Sequence, residues 1–180
     1  WVADETAILA MWPRGGAYRF DARELSRPPQ ALEVRGRIFR TLAVSADGNR
    51  VAVIGFEGRV ASVLDARTGK VLRVHECGGQ ASTAAALSPD GSQLACGTVG
   101  QSAIGLLDVA SGAVRTLARD LTYVDTLQFG PQGRYLVAMS RDFVVRVFDL
   151  EQRTTREHAG GDRRPIVCTP ALDRAGEWLA

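Results

Sequence analysis

Short apolar runs alternate with turn residues along the whole chain, and each run is too short to form a helix. Residues 51–54 and 135–138 are two such runs. In residues 38–80 the runs are separated by Asp47-Gly48, Glu57-Gly58 and Thr68-Gly69. Each separator contains a glycine, which tolerates the positive φ of a tight hairpin turn. The pattern predicts a four-stranded antiparallel meander here, with strands over residues 41–44, 51–55, 60–64 and 71–74.

Two sequence markers repeat along the chain with the same period. The first is a turn that ends in glycine, at Gly48, Gly91, Gly133 and Gly176, with spacings of 43, 42 and 43 residues. The second is an aspartate after an apolar residue, at Asp21, Asp65, Asp108 and Asp149, with spacings of 44, 43 and 41 residues. Two markers with one period predict repeated structural units. Hairpin turns are predicted at Asp47-Gly48, Asp90-Gly91 and Gln132-Gly133.

A single meander has two apolar faces, and it can cover both only by packing between two other meanders. About 40 to 50 residues per four strands is the spacing of blades in a β-propeller. The predicted fold class is therefore all-β, a propeller segment of four-stranded antiparallel blades with about four repeats. Residues 1–180 form one segment, and its first unit lacks the innermost strand. The predicted units are residues 1–37, 38–80, 81–121 and 122–164, followed by a partial unit over 165–180.

The repeats resemble those of the WD-repeat β-propeller family. That family's turn, second strand, Trp-Asp dipeptide and following hairpin are matched by Ser88-Pro89-Asp90-Gly91, Leu94-Ala95, Leu107-Asp108 and Ser111-Gly112. The fourth unit is similar in Ser140-Arg141-Asp142 and in residues 145–149. The repeats are degenerate, because none has tryptophan in the dipeptide, and Gly78 and Asp120 stand where a histidine would be. We therefore expect the family's buried Asp-His-Ser-Trp hydrogen-bond network to be absent.

The resemblance implies a larger propeller than these repeats form by themselves. WD-repeat propellers usually close with seven blades, so the chain is expected to be a fragment of a larger multidomain protein, similar to bacterial proteins that carry such repeats. The residues also leave open a small closed ring, in which residues 166–169 would complete the first blade.

Composition and charge change this picture little. Hydrophobic residues make up 46% of the chain and charged residues 23%, which is typical of folded soluble domains. The net charge of +2 does not predict a nucleic-acid partner. The apolar runs are shorter than a membrane span, so no membrane partner is predicted. Cys77, Cys96 and Cys168 form no C-x-x-C pair, and we therefore expect a reducing compartment and cytoplasmic localisation.

The sequence predicts no metal site, no cofactor and no catalytic residues. His75 and Cys77 could contact one metal ion, but zinc needs three or four ligands, and His158 and Cys168 lie about two blades away in sequence. Residues 68–70 match only part of a phosphate-binding loop and are better explained as a hairpin turn. The periodic aspartates are expected to cap turns.

The candidate partner-binding residues lie in the loops between the second and third strands of the blades. These loops should share one face of the propeller, where exposed aromatic and arginine side chains form binding hot spots. For Trp12 and Phe56, the alternative is burial under neighbouring blades. The candidates are Trp12, Arg14, Phe56, Glu57, Arg141 and Asp142.

The predicted function is a non-catalytic scaffold for protein–protein interaction, with an unidentified protein as its partner. One alternative is a propeller enzyme, similar to lactonases or dehydrogenases, with a site on the central channel. Innermost strands such as residues 41–44, 84–86 and 126–128 are apolar or neutral and offer few ligands for such a site. The other alternative is a purely structural spacer.

Overall fold

A computed structural model shows that the regular secondary structure of the described residues consists of β-strands alone. The structure describes residues 7–12, 16–32, 34, 39–55, 60–76, 81–99, 103–121, 123–159, 171–172 and 178–179. The first sheet consists of β1 (Ala7–Trp12), β2 (Gly16–Asp21) and β3 (Gln30–Ala31). The second consists of β4 (Phe39–Val44), β5 (Arg50–Gly55), β6 (Val60–Asp65) and β7 (Val71–Glu76).

Two further four-stranded sheets and a short strand pair follow. The third sheet consists of β8 (Ala81–Leu87), β9 (Gln93–Val99), β10 (Ala103–Asp108) and β11 (Val114–Ala118). The fourth consists of β12 (Val124–Phe129), β13 (Tyr135–Ser140), β14 (Val144–Asp149) and β15 (Thr154–Ala159). The last pair is β16 (Ala171–Leu172) with β17 (Trp178–Leu179).

Every sheet is an antiparallel meander, because each strand pairs with its neighbours in the sequence. The innermost strands of the three complete sheets lie side by side, since β8 contacts both β4 and β12. This is the arrangement of blades around a propeller axis. The predicted all-β propeller segment is therefore confirmed. The alternative in which residues 166–169 complete the first blade concerns residues outside the described ones.

The hairpin turns between the first and second strands of the blades form where the sequence predicts them. Gly48, Gly91 and Gly133 all have positive φ, at 67°, 68° and 75°. In the second blade the Ser45 hydroxyl donates to Asp47 at 2.6 Å and accepts from the backbone N–H of Arg50 at 3.0 Å. Serine and aspartate thus close the turn by short-range hydrogen bonds, while glycine supplies its backbone conformation.

The periodic aspartates cap the turn between the third and fourth strands of each blade. The carboxylate of Asp65 accepts from the backbone N–H of Thr68 at 2.8 Å, and that of Asp108 accepts from Ser111 at 2.7 Å. Asp21 and Asp149 also accept from backbone N–H groups two or three residues later. The predicted capping role is confirmed by these contacts.

The core lies between the sheets and is shared by neighbouring blades. On β5, Val51 and Val53 pack toward the first sheet, while Ala52 and Ile54 pack toward the third. All four residues are buried, because both faces of this strand are covered. Two-sided burial explains the continuous apolar runs, since a strand with one wet face would alternate apolar and polar residues.

The third and fourth blades approach each other closely at Gly97 on β9. A Cβ atom at this position would lie 2.8 Å from Cβ of Val124, a buried β-branched residue of β12. Gly105 on the neighbouring strand β10 has more room, since a Cβ there would find its nearest neighbour, Val114, at 3.7 Å. These two glycines form a matched pair for testing how closely the blades pack.

We expect Gly97→Ala to lower the free energy of unfolding by about 1–3 kcal/mol, because the added methyl forces the two blades apart. Gly105→Ala should leave it unchanged or raise it by about 0.5 kcal/mol, because alanine restricts the unfolded chain. Urea unfolding followed by circular dichroism measures both values. Equal stability of the two variants would contradict the close packing of β9 against Val124.

Candidate functional site

The loop between the second and third strands of the fourth blade carries two of the predicted partner-binding residues. It consists of residues 141–143, between β13 and β14. Of the other candidates, Trp12 is the last residue of β1, where it pairs with Gly16. Arg14, Phe56 and Glu57 lie outside the described residues. The geometry of the predicted surface is therefore built from the fourth blade.

Arg141 is exposed but held in one orientation by three contacts. Its guanidinium lies 4.1 Å from the centroid of the Tyr123 ring, and its Nε lies 3.3 Å from the carboxylate of Asp125. Its backbone N–H donates to the carbonyl oxygen of Tyr123 at 2.9 Å. The side chain still exposes 62% of its surface. An arginine stacked on an aromatic ring loses little conformational entropy when a partner binds it.

A β-bulge places Asp125 where Arg141 can reach it. The register of β12 against β13 shifts between Val124 and Thr126, which leaves Asp125 as the extra residue. Bulges often redirect a side chain out of the regular alternation of a strand. The same shift occurs near the start of the innermost strand in the second and third blades. The fold thus provides the bulge in every complete blade, and the fourth blade places a carboxylate on it.

Phe143 is the most unusual residue of this loop. Its φ is 61°, in the left-handed region, and its side chain is 39% exposed. A bulky residue rarely adopts this conformation, which costs about 1 kcal/mol relative to the right-handed region. We call Tyr123, Asp125, Arg141 and Phe143 the fourth-blade loop patch. Sequence reasoning identified only Arg141 among them, although a phenylalanine in a tight three-residue loop could have indicated Phe143.

Asp142 points toward the interior of the blade rather than toward the partner side of the loop. Its carboxylate accepts hydrogen bonds from Ser140 Oγ at 2.7 Å, from Arg146 Nη2 at 2.7 Å and from the backbone N–H of Val144 at 3.1 Å. Arg146 is buried and also donates to Glu157 at 2.9 Å. The predicted partner-binding residue Asp142 therefore lies in a network that closes the loop from inside.

The hydrogen bonds of this network set the ionisation of Asp142. Burial raises the pKa of its carboxyl group, but hydrogen bonds from Arg146, Ser140 and Val144 lower it by more, so the pKa lies below its usual value. Asp142 is therefore ionised at neutral pH and neutralises the buried guanidinium of Arg146. The network of Asp142, Ser140 and Arg146 contains no histidine or tryptophan, so it differs from the Asp-His-Ser-Trp network of the WD-repeat family.

Potential metal ligands do not cluster in the part of the chain that the structure describes. No three of its His, Cys, Asp or Glu side chains come together in a way that could hold a metal ion. His75 is half-buried on β7, and burial lowers its pKa, partly offset by the charge of Glu76. Cys77 and Cys168 lie outside the described residues. No helix among the described residues has the length and hydrophobicity needed to cross a membrane.

Comparison with known proteins finds a sequence relative and a similar fold. No family model matches the sequence. Over 61 residues the chain is 38% identical to the WD repeat-containing protein SL1-17 of Schistosoma mansoni, which covers 34% of this chain and 20% of that protein. The fold is similar to the crystal structure of the β-propeller domain of Myceliophteria thermophila Cps50 (Swd1), with a TM-score of 0.75 and 15% identity.

Each match covers only part of the known protein. The structural match covers 98% of this chain but 58% of the Cps50 chain, and the sequence match spans a fifth of the Schistosoma protein. At 15% identity the structural match concerns the fold alone. The chain is a segment of a β-propeller with a stretch similar in sequence to a WD-repeat protein.

Proposed function

We propose that the chain is a non-catalytic scaffold that binds a protein partner through the loops between its second and third strands. The observation that carries this proposal is the fourth-blade loop patch, in which Phe143 is exposed beside an arginine already stacked on Tyr123. Arginine and aromatic residues dominate binding hot spots, because they bury a large area at modest entropic cost. The proposed surface continues to the other loops through Trp12, Arg14, Phe56 and Glu57.

The backbone of Phe143 supports a binding role more strongly than its exposure does. The left-handed conformation costs free energy, and 39% of the side chain is exposed and available to a partner in the free protein. Strained residues concentrate where a function uses them. We therefore infer that a partner covers the Phe143 ring and forms an ion pair with Arg141 in exchange for, or in addition to, Asp125.

The described innermost strands favour a scaffold over an enzyme with a site on the central channel. Their side chains at Leu42, Ala84, Ala86 and Leu127 are apolar and pack into the core between blades. A catalytic centre there would need several ionisable side chains on these strands. We also propose a reducing, cytoplasmic setting, because the three cysteines of the sequence form no C-x-x-C pair and one would stay unpaired in any disulfide scheme.

We expect Phe143→Gly to reduce partner capture at least tenfold while the unfolding midpoint stays equal or rises, because glycine adopts positive φ without strain. The measurement is quantitative mass spectrometry of proteins retained from a cell extract by the immobilised chain. Leu72→Ser is the matched control, because Leu72 on β7 is also 39% exposed but lies outside the loops. Equal capture by the two variants would contradict the proposed surface.

We expect Asp142→Asn to lower the free energy of unfolding at pH 7 by about 2 kcal/mol, because it removes a charged hydrogen-bond partner of the buried Arg146. The folded pKa of Asp142 is lowered, so its contribution is complete above the unfolded pKa of about 4 and is lost as the pH falls through the folded value. The difference between wild type and variant should therefore shrink below pH 4 in urea titrations.

Asp125→Asn is the control for this pH series. Its ion pair with Arg141 is exposed, so the change at pH 7 should stay within about 1 kcal/mol. A destabilisation by Asp142→Asn that persists unchanged at pH 2 would show that the carboxylate charge is not its cause.

A further inference from the structure

The outer strand of each blade has an equivalent position that recurs once per repeat. It pairs with the residue two places before the capping aspartate, on the neighbouring strand. In the first three blades this position is occupied by Gln30, Arg73 and Arg115, which pair with Arg19, Val63 and Leu106. Each side chain is therefore placed to reach the neighbouring blade at the same height.

In the first two blades the side chain of this residue donates hydrogen bonds to backbone carbonyl oxygens in a turn of the next blade. The side-chain amide of Gln30 donates to the carbonyl of Thr68 at 3.5 Å. The guanidinium of Arg73 donates to the carbonyl of Val109 at 2.9 Å and also to that of Ala110. Both contacts join an outer strand to the turn between the third and fourth strands of the following blade.

Between the third and fourth blades this contact is missing within the described residues. The side chain of Arg115 forms no hydrogen bond or ion pair there, although it lies beside Leu150 and Glu151 of the corresponding turn. The turn of the fourth blade lacks the glycine that the turns of the second and third blades share. Gly69 and Gly112 stand at the fourth position after the capping aspartate, with φ of 71° and 78°, whereas the fourth blade has Arg153 at φ 57°.

In the third blade the glycine at this turn position lies against the arginine that bonds the turn. A Cβ atom at Gly112 would lie 3.2 Å from Nη1 of Arg73, so a side chain at this position crowds the arginine that bonds the turn. In the fourth blade such a side chain is present, and the contact of Arg115 with the turn is not made. Arg115 and Arg153 line the same cavity, and neither forms an ion pair within the described residues.

The two arginines line a groove between the blades. Arg115, Arg153 and Leu150 are shared by two cavities of about 410 and 230 Å³. Apolar surface comes from Leu106, Val114, Leu117 and Phe148. The side chain of Arg153 also forms no hydrogen bond or ion pair with a described residue. The groove therefore combines two guanidinium groups that form no ion pair within the described residues with apolar walls and with the carboxylates of Asp108 and Glu151.

We propose that this groove binds an extended peptide segment of a protein partner, in which an aspartate or glutamate is flanked by an apolar residue. The carboxylate would accept hydrogen bonds from Arg115 and Arg153, whose planar guanidinium groups suit carboxylates. The apolar neighbour would pack on Leu150 and Val114, which is 51% exposed.

The charges around the groove favour a single carboxylate over a polyanion. Glu151 and Asp108 line the same cavity, so a chain of phosphates would meet two negative side chains for the two arginines. The groove also lies at the end of the fourth blade opposite to the fourth-blade loop patch, because successive turns of a meander alternate between the two ends of the sheet. This site is therefore independent of the surface proposed above.

The test uses two fluorescein-labelled peptides and fluorescence anisotropy with the whole chain. One peptide carries a single glutamate between two leucines in an otherwise uncharged sequence, and its counterpart replaces that glutamate by glutamine. We expect the glutamate peptide to bind at least tenfold more tightly than the glutamine peptide. Arg115→Gln and Arg153→Gly should each weaken its binding at least tenfold, because each removes one guanidinium from the carboxylate site.

The variants separate binding from folding. Arg153→Gly restores the glycine of the other turns, so its urea midpoint should equal or exceed that of the wild type while peptide binding falls. Arg67→Gln removes an exposed charge from the equivalent turn of the second blade and should leave binding unchanged. The proposal is overturned if the wild type binds neither peptide at millimolar concentration, if both peptides bind equally, or if Arg67→Gln weakens binding as much as Arg153→Gly. Tighter binding of an oligothymidylate of equal length would instead indicate a nucleic-acid surface.

Discussion

The structure depends on one constraint, which is that each sheet has two apolar faces and only another sheet can cover them. Val51 and Ala52 are adjacent in sequence but are buried against different blades. Neither face can be left wet without exposing a row of branched side chains, so the blades stabilise one another through their neighbours. Gly97 shows how tight this contact is, since Val124 of the next blade occupies the space where a Cβ atom would be.

The features predicted from sequence are those fixed by local chemistry. The Ser45-Asp47 turn and the capping by Asp65 need only residues within five positions along the chain, so their types and spacing were enough to place them. The period of these turns then defined the blades. The candidate site was less predictable, because the role of a residue there depends on partners from other strands. Arg141 and Asp142 are adjacent and equally polar, yet one stacks on Tyr123 and the other bonds a buried arginine.

Departures from the repeat could not be interpreted from the sequence either, because their effect also depends on residues from other strands. Taken alone, Arg153 is an ordinary polar residue of a surface turn. The third blade has Gly112 at the corresponding position. There, Gly112 leaves the space in which Arg73 lies against the turn carbonyls. At the turn of the fourth blade the corresponding outer-strand residue is Arg115 of the third blade, 38 positions before Arg153 in the sequence, and it bonds no carbonyl of the described turn. In a repeat protein, comparing equivalent positions in different blades therefore shows what such a substitution changes.

Phe143 and Arg153 together suggest how the fourth blade differs from the others. Among the described residues other than glycine, positive φ occurs at Asp120, Phe143 and Arg153. Aspartate tolerates the left-handed region well, whereas each of the other two costs about 1 kcal/mol. Phe143 keeps 39% of its side chain exposed, and the side chain of Arg153 bonds no described residue. Breaks in local sequence rules concentrate at functional sites. Both residues lie on the two surfaces proposed above, where a contact with another molecule would stabilise their backbone conformations.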